Sequence, residues 1–374
     1  MKQITRLAGI LALQVALTCG VTVQAQEPIR IGQTAVLSGP QAPNALAFNQ
    51  GLHLYFDAVN RAGGVAGRAL ELVSLDDVYE VEQARENARK LIEDERIVAM
   101  IGVTGTGMSM AVAPLVEDAG MALLAPISGA PELRQLGGRQ LFHVRATYAD
   151  ELQAMVRYLK VIGITDLGVV YQDDPFGASG LRQLDKIVQD EDVEIVVTAP
   201  ISGPDFLADD AVATVLNHRP SAVLLVTGGG ASIEFIRLSH AADYRPMFLG
   251  LSVVSANALA QSLGNDAQGV IVAQVAPHPR SGKYPLIRDM QRLAAEVDVT
   301  PDSHMAVEGF MAARVLVEAL RRIDGDITRQ SITEALAEMG RFNVGGVEVD
   351  LAGDGHGDRY VDLSMLRADG SFAH

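Results

Sequence analysis

Tryptophan is absent from this 374-residue sequence and cysteine occurs once, at Cys19, so no disulfide within the chain can staple a fold. Charged residues make up 20% of the chain against 48% hydrophobic ones. That balance excludes general disorder and supplies enough apolar material for large cores, two domains at this length. Cations are the scarcer charge, 30 Lys and Arg against 46 Asp and Glu. The net charge of -16 repels phosphate backbones and anionic lipid heads, so nucleic acid is not an expected partner. The same acidity serves solubility. Catalytic patterns are missing as well. There is no His-Glu-x-x-His, no Gly-x-Ser-x-Gly and no phosphate loop, and the eight histidines are scattered without metal-ligand spacing. Neither an enzyme nor a cofactor is expected.

One long apolar run is present, residues 7–23, after Lys2 and Arg6 and before the small-residue pattern Val23-Gln24-Ala25. Gln14, Thr18 and Gly20 interrupt it and Gln26-Glu27-Pro28 follows, which predicts a secretory signal peptide over 1–25 rather than a membrane span. Cleavage near Ala25 removes the only cysteine and, with Lys2 and Arg6, shifts the net charge from -16 to -18. A lipid anchor on Cys19 is the second reading, although Thr18 precedes it where lipid attachment normally has Gly or Ala. Secretion places the mature chain in the periplasm, with no membrane insertion of its own.

After the leader, β-branched runs alternate with amphipathic segments. Strands are predicted over 29–37, 69–75, 97–101 and 122–125, with helices over 45–61, 81–95 and 109–119 between them. The pattern then restarts, with helices over 149–162, 177–189, 207–217 and 232–241 and strands over 167–171, 193–198 and 222–227. Each half reads as a doubly wound α/β lobe. Beyond 276 come helices over 284–297, 304–323 and 327–339 and strand-like segments over 347–351 and 360–366. This tail has no third core to build, so it is expected to return and complete both lobes, which makes their connection multiple and hinge-like.

Open α/β sheets bind ligands at the carboxyl ends of their strands, so the loops there are the candidate sites. Gly102-Val103-Thr104-Gly105-Thr106-Gly107 and Ala125-Pro126-Ile127-Ser128-Gly129-Ala130 each follow a strand. Bare amides at a helix start beside the hydroxyls of Thr104, Thr106 and Ser128 suit a carboxylate, since a hydrogen bond to a charged group contributes about 1.5–3 kcal/mol. Ordinary strand-to-helix turns favour the same residues, and spacing does not separate the two readings. Gly228-Gly229-Gly230 has the same ambiguity: Gly229 lets a ligand or an opposing lobe approach the backbone. Residues 353–358, Gly-Asp-Gly-His-Gly-Asp, gather two carboxylates and an imidazole but read first as a solvated turn.

Several segments are distinctive in combination: Ser38-Gly39-Pro40, Val59-Asn60-Arg61-Ala62-Gly63-Gly64-Val65-Ala66-Gly67-Arg68, Asp76-Asp77, Ala130-Pro131-Glu132-Leu133 and Tyr171-Gln172-Asp173-Asp174-Pro175-Phe176-Gly177. Gly345-Gly346 and Tyr360-Val361-Asp362-Leu363 close the series. With them the mature chain resembles the Leu/Ile/Val-binding family of type I periplasmic binding proteins, solute receptors of branched-chain amino acid ABC transporters. The resemblance implies the type I periplasmic binding protein fold, two Rossmann-like lobes joined by a three-crossover hinge. It places crossovers near Ala146, Ala276 and Val347, giving an N-terminal lobe of 26–146 plus 276–347 and a C-terminal lobe of 147–275 plus 348–374. The implied partners are a small carboxylate or amino acid ligand and an inner-membrane ABC permease.

The resemblance also assigns roles. Thr106 falls where the family binds the ligand carboxylate, Ile127, Ser128 and Gly129 where backbone and a hydroxyl complete that grip, and Phe176 on an aromatic that closes from the second lobe. An ordinary core aromatic at a helix start is the other reading of Phe176. Ser252 stands where amino acid receptors of the family place a glutamate against the ligand ammonium. A buried ammonium without a counter-charge is costly, so either another acid substitutes or the ligand lacks an α-amino group. Asn44 and Met305 stand near positions of the family's side-chain pocket. Tyr148, with Asp150 and Glu151, offers polar contacts near the first crossover, though the two acids also suit a helix cap. The expected ligand is thus a branched-chain or other amino acid, or an aliphatic or aromatic acid, bound by closure of the lobes. A ligand-sensing subunit that regulates a partner protein would use the same fold and closure. A nucleotide-dependent dehydrogenase would need Gly-x-Gly-x-x-Gly after the first strand, where Ser38-Gly39-Pro40 stands.

Overall fold

Short apolar runs form the buried strands of two sheets, and the amphipathic segments between them form the helices that cover both faces. A computed structural model describes residues 26–136, 138–203, 206–351, 359–367 and 371–373. The expected signal peptide and the 353–358 segment lie outside the described residues. Among those residues no helix is long and apolar enough to cross a membrane.

The first lobe is built from β1 (Ile29–Ala35), α1 (Ala42–Arg61), β2 (Leu70–Asp76), α2 (Val81–Glu93), β3 (Ile97–Ile101), α3 (Thr106–Asp118), β4 (Ala122–Leu124) and β5 (Leu141–Phe142). Its strands are parallel in the order β2-β1-β3-β4-β5, so the winding reverses between β1 and β3. The second lobe repeats the plan with α4 (Tyr148–Ile162), β6 (Asp166–Gln172), α5 (Pro175–Val188), β7 (Glu194–Ile201), α6 (Asp209–Leu216) and β8 (Ala222–Val226). It continues through α7 (Gly229–Ala241), β9 (Met247–Gly250), α8 (Ala256–Leu263) and β10 (Ile271–Gln274), and its winding reverses between β6 and β8.

The tail divides between the lobes. Helices α9 (Pro285–Glu296), α10 (His304–Arg321) and α11 (Arg329–Met339) bury Ile287, Phe310, Leu316 and Leu336 in the same core as Phe48 and Leu52 of α1. Phe310 meets Tyr55 edge to face at 5.1 Å. Then β11 (Arg341–Asn343) and β12 (Glu348–Asp350) pair antiparallel as a separate hairpin, and β13 (Asp362–Leu366) and β14 (Phe372–Ala373) extend the second sheet beyond β10. The chain therefore passes between the lobes three times. Val347, Val349 and Leu351, at alternate positions, pack in the first core. The 347–351 segment also pairs with β11 rather than with either large sheet.

Candidate functional site

Both switch points face the same space. The loops after β1 and β3 on one side, and after β6 and β8 on the other, border a cavity of about 40 Å³. Thr104, Gly105, Thr106 and Ile127 form its first-lobe floor; Phe176, Gly228 and Val253 form the opposing face, with Tyr148 between them. Gln41, Asn44 and Tyr79 complete the wall, and no side chain on it is formally charged. A larger hollow of about 900 Å³, bordered by Asn257, His278 and Tyr284, is reached by none of these four loops.

The two glycine-rich loops meet as a unit. A parallel bridge joins Thr104 to Ile127, Ile127 N–H donates to Val103 O at 2.8 Å and Gly105 N–H donates to Ile127 O at 3.2 Å. Gly105, at φ 90°, makes the left-handed turn that starts α3 at Thr106, three residues before the position predicted. No side chain caps α3, so its first-turn amides lack a side-chain acceptor. Thr106 Oγ1 and Ser128 Oγ are buried 2.9 Å apart. Their mutual bond uses one of two hydroxyl protons; when Ser128 donates to Thr106, the Thr106 proton can go to a solute or to the neighbouring Tyr148 hydroxyl. Ser128 and Gly129 stand behind the wall. Ala130 N–H donates to Ser128 Oγ at 3.3 Å, and Gly129 O accepts from Tyr148 N–H at 2.7 Å, which fixes the start of α4 against the loop.

From the second lobe, Phe176 lines the cavity with its ring 5.2 Å from that of Tyr148. Its position is set by the start of α5, where Pro175 opens the helix and Asp174 accepts from the N–H groups of Phe176 and Gly177 at 2.8 and 3.0 Å. Asp174 also accepts from Tyr79 Oη at 3.2 Å and from Gln172 Nε2 at 2.6 Å. Gln172 Oε1 in turn accepts from Gly228 N–H at 3.0 Å, so a chain of bonds ties first-lobe Tyr79 to the opposing lobe. Asn44 Nδ2 donates across the cleft to Val253 O at 2.5 Å. Gly229 opens α7, one residue past the wall-forming Gly228. Met305 lies in the first core and not on the wall.

Ser252 is placed beside the cavity rather than on its wall, and its bonds explain why. Its N–H and hydroxyl donate to the two carboxylate oxygens of Glu151 at 2.7 and 3.0 Å, and Arg145 Nη2 donates to Ser252 Oγ. Arg145 also lies 3.8 Å from Glu151 and 3.6 Å from Glu308. Burial pushes the Glu151 carboxyl up to about 7 against the pull of Arg145. Asp150 takes the other role considered for it: it forms a capping box with Thr147 at the start of α4 and accepts from Arg359 at 3.2 Å.

Tyr79 owes its placement to Asp77. Val78 and Tyr79 both have positive φ, 47° and 64°, an uncommon geometry for such residues. Asp77 stabilises it by accepting from Tyr79 N–H at 3.1 Å and Thr34 Oγ1 at 3.0 Å. Burial pushes the Asp77 carboxyl up to about 6 from 3.8, against those hydrogen bonds. A raised folded-state value means folding favours the protonated form. Its contribution is therefore fully present below pH 3.8 and is lost as pH rises through about 6. The loss amounts to about 2–3 kcal/mol. Urea unfolding from pH 4 to pH 7 should show a shallower decline for Asp77→Asn than for the wild type, and identical slopes would mean that folding leaves this carboxyl's ionisation unchanged.

A family described as "Periplasmic binding protein" matches residues 28–371. A solved substrate-binding periplasmic protein from Ralstonia solanacearum is similar at a TM-score of 0.85 and 32% identity, over 92% of this chain and 99% of that one. A possible leucine/isoleucine/valine-binding protein from Rhodopirellula baltica gives a TM-score of 0.87 and 28% identity, over 95% and 98% of the two chains. Among curated relatives, Leu/Ile/Val-binding protein homolog 7 of Brucella suis is 23% identical over 354 residues, covering 90% of this chain and 88% of its own length.

Proposed function

We propose, from the premise that this chain belongs to the periplasmic binding protein family, that it is the periplasmic solute receptor of an ABC transporter and carries a small carboxylate without an α-ammonium group. Members of this family bind solutes and hand them on rather than transform them. The observation that carries the reading is the wall of the interlobe cavity: the Thr106 hydroxyl at the uncapped start of α3, and no charged side chain opposite it. The acid nearest to the position where the resemblance implies a counter-charge is Glu151, and both of its oxygens are occupied by Ser252. An ammonium would enter this cleft without a partner, at a cost of several kcal/mol. A carboxylate meets a hydroxyl and free amides. Ile127, Phe176 and Val253 supply apolar contact for a short hydrocarbon chain.

Closure follows as a population shift. Thr106 belongs to one lobe and Phe176 and Val253 to the other, so a solute touches all three only when the lobes are together, and that differential affinity favours the closed form. A leader over 1–25 would deliver the receptor to the periplasm, and the permease would recognise the closed pair of lobes, taken as 26–146 plus 276–347 and 147–275 plus 348–374.

Thermal unfolding of ligand-stripped protein against leucine, isoleucine, valine and aliphatic and aromatic acids tests the ligand class, because a ligand of the native state raises the melting temperature by mass action. Stabilisation by acids that lack an amino group is the expected result; stabilisation by the amino acids alone would overturn it. Thr106→Ala should weaken binding of the best acid by about 10- to 150-fold, the equivalent of about 1.5–3 kcal/mol. An unchanged Kd would remove Thr106 from the site.

A further inference from the structure

Several polar groups on the cavity wall are bonded within the protein. Asn44 Nδ2 donates to Val253 O, Tyr79 Oη donates to Asp174, Thr106 and Ser128 share a bond, and Gly228 N–H is taken by Gln172. Gln41 is different. Its Nε2 is shielded from solvent and has no hydrogen-bond partner. The side chain is also pressed against the second lobe: a Cβ on Gly228 would lie 2.5 Å from Gln41 Oε1. The closed cleft therefore holds a primary amide in place, against a wall that gives it nothing to bind. Buried polar atoms in native proteins seldom stay unpaired. Gln41 precedes α1 without making a side-chain cap bond to it, so the helix start does not use its amide.

We propose that the solute carries, besides its carboxylate, an uncharged oxygen that pairs with the Gln41 amide, which narrows the class to short hydroxy or oxo acids; this rests on the carboxylate reading of the same cleft. A hydroxyl satisfies the amide in either orientation, as donor to Oε1 or acceptor from Nε2, and a carbonyl accepts from Nε2. A second carboxylate is disfavoured because no cationic side chain lines the cavity. A purely aliphatic acid would close the lobes over an amide left unpaired, and a site built to bond a substrate oxygen discriminates against analogues that lack it.

Calorimetric titration of the ligand-stripped protein with butyrate, hydroxybutyrates and oxobutyrates tests the inference, in the wild type and in Gln41→Leu. The oxygenated acids should bind the wild type about tenfold or more tighter than butyrate. In Gln41→Leu that advantage should vanish, and Gln41→Asn, which shortens the reach of the amide, should fall between. Equal affinity of the wild type for butyrate and its oxygenated forms would overturn the inference and leave the carboxylate reading standing, as would a preference that survives in Gln41→Leu. Binding of amino acids with no response to any of these acids would remove the carboxylate reading itself.

Discussion

Arg145→Met is expected to lower the free energy of unfolding by about 3–5 kcal/mol, because it leaves Glu151 and Glu308 buried without their counter-charge. Arg145 is 3% exposed, Glu308 is 3% exposed and Glu151 fully buried, so water cannot replace the guanidinium. The three groups come from different parts of the chain. Arg145 lies in the first passage between lobes, Glu151 on α4 of the second lobe and Glu308 on α10 of the first. Their loss should therefore weaken the junction of the lobes and not only one core. Burial already pushes both carboxyls up, with Arg145 opposing it in each case. Without Arg145 they rise further, so the folded state holds protons that the unfolded state has released. The damage should accordingly be greatest at neutral pH and shrink as pH falls toward about 4.5, the ordinary glutamate value. Urea unfolding at pH 5 and pH 7.5 measures both statements. Combining Arg145→Met with Glu151→Gln and Glu308→Gln should recover most of the loss, since no buried charge then remains. A penalty below about 1 kcal/mol at neutral pH would mean that Arg145 contributes little to holding these two buried acids.

That network also marks the limit of what the sequence discloses. The repeated strand and helix pattern is legible because each element carries its own signal: Ile97–Ile101 is apolar throughout and buried throughout, and Thr147 and Gly163 bracket α4 with a cap and a left-handed stop. Helix starts are less legible where glycine lies in the first turn. The run Gly105-Thr106-Gly107 reads as loop, yet α3 includes Thr106 and Gly107 because their amides turn with the helix once Gly105 has reversed the chain. The β11 and β12 hairpin and the short β14 depend on pairing partners and carry little signal of their own. The floor of the cavity follows from the rule that ligands bind where strands end, and Thr104, Thr106 and Ile127 could be named on that basis. Gln41, Tyr79 and Val253 could not. Each reaches the wall only because one lobe is set against the other, a relation between residues up to 209 positions apart such as Asn44 and Val253. The role of Ser252 follows the same logic: the sequence shows a missing acid, and only the folded chain shows Glu151 and Arg145 engaged with the serine.

Gly309→Ala is expected to cost about 3 kcal/mol or more, although alanine is the better helix former by about 1 kcal/mol. The reason is the crossing of α1 and α10. A Cβ on Gly309 would lie 1.9 Å from Phe48 O, and one on Gly51 would lie 1.9 Å from Ala306 O, so each helix presses its backbone onto a glycine of the other. Backbone cannot rotate away as a side chain does, and the helices must separate. Phe48 and Phe310, both buried at this crossing, would lose contact on either side. Gly51→Ala should behave alike, and the two together should cost less than their sum because one separation serves both. The consequence extends to the cleft. Gln41 and Asn44 stand at the start of α1, so tilting that helix away from α10 displaces Asn44 from Val253 O while Thr106, held by α3 and the Ser128 loop, keeps its place. Solute should then bind the folded variant with a faster dissociation rate and a nearly unchanged association rate, the signature of a closed state that has lost cross-lobe bonds and kept its initial grip. Urea midpoints and stopped-flow binding read the two effects separately. A stabilised Gly309→Ala would show that the crossing yields at little cost and that helix propensity outweighs it.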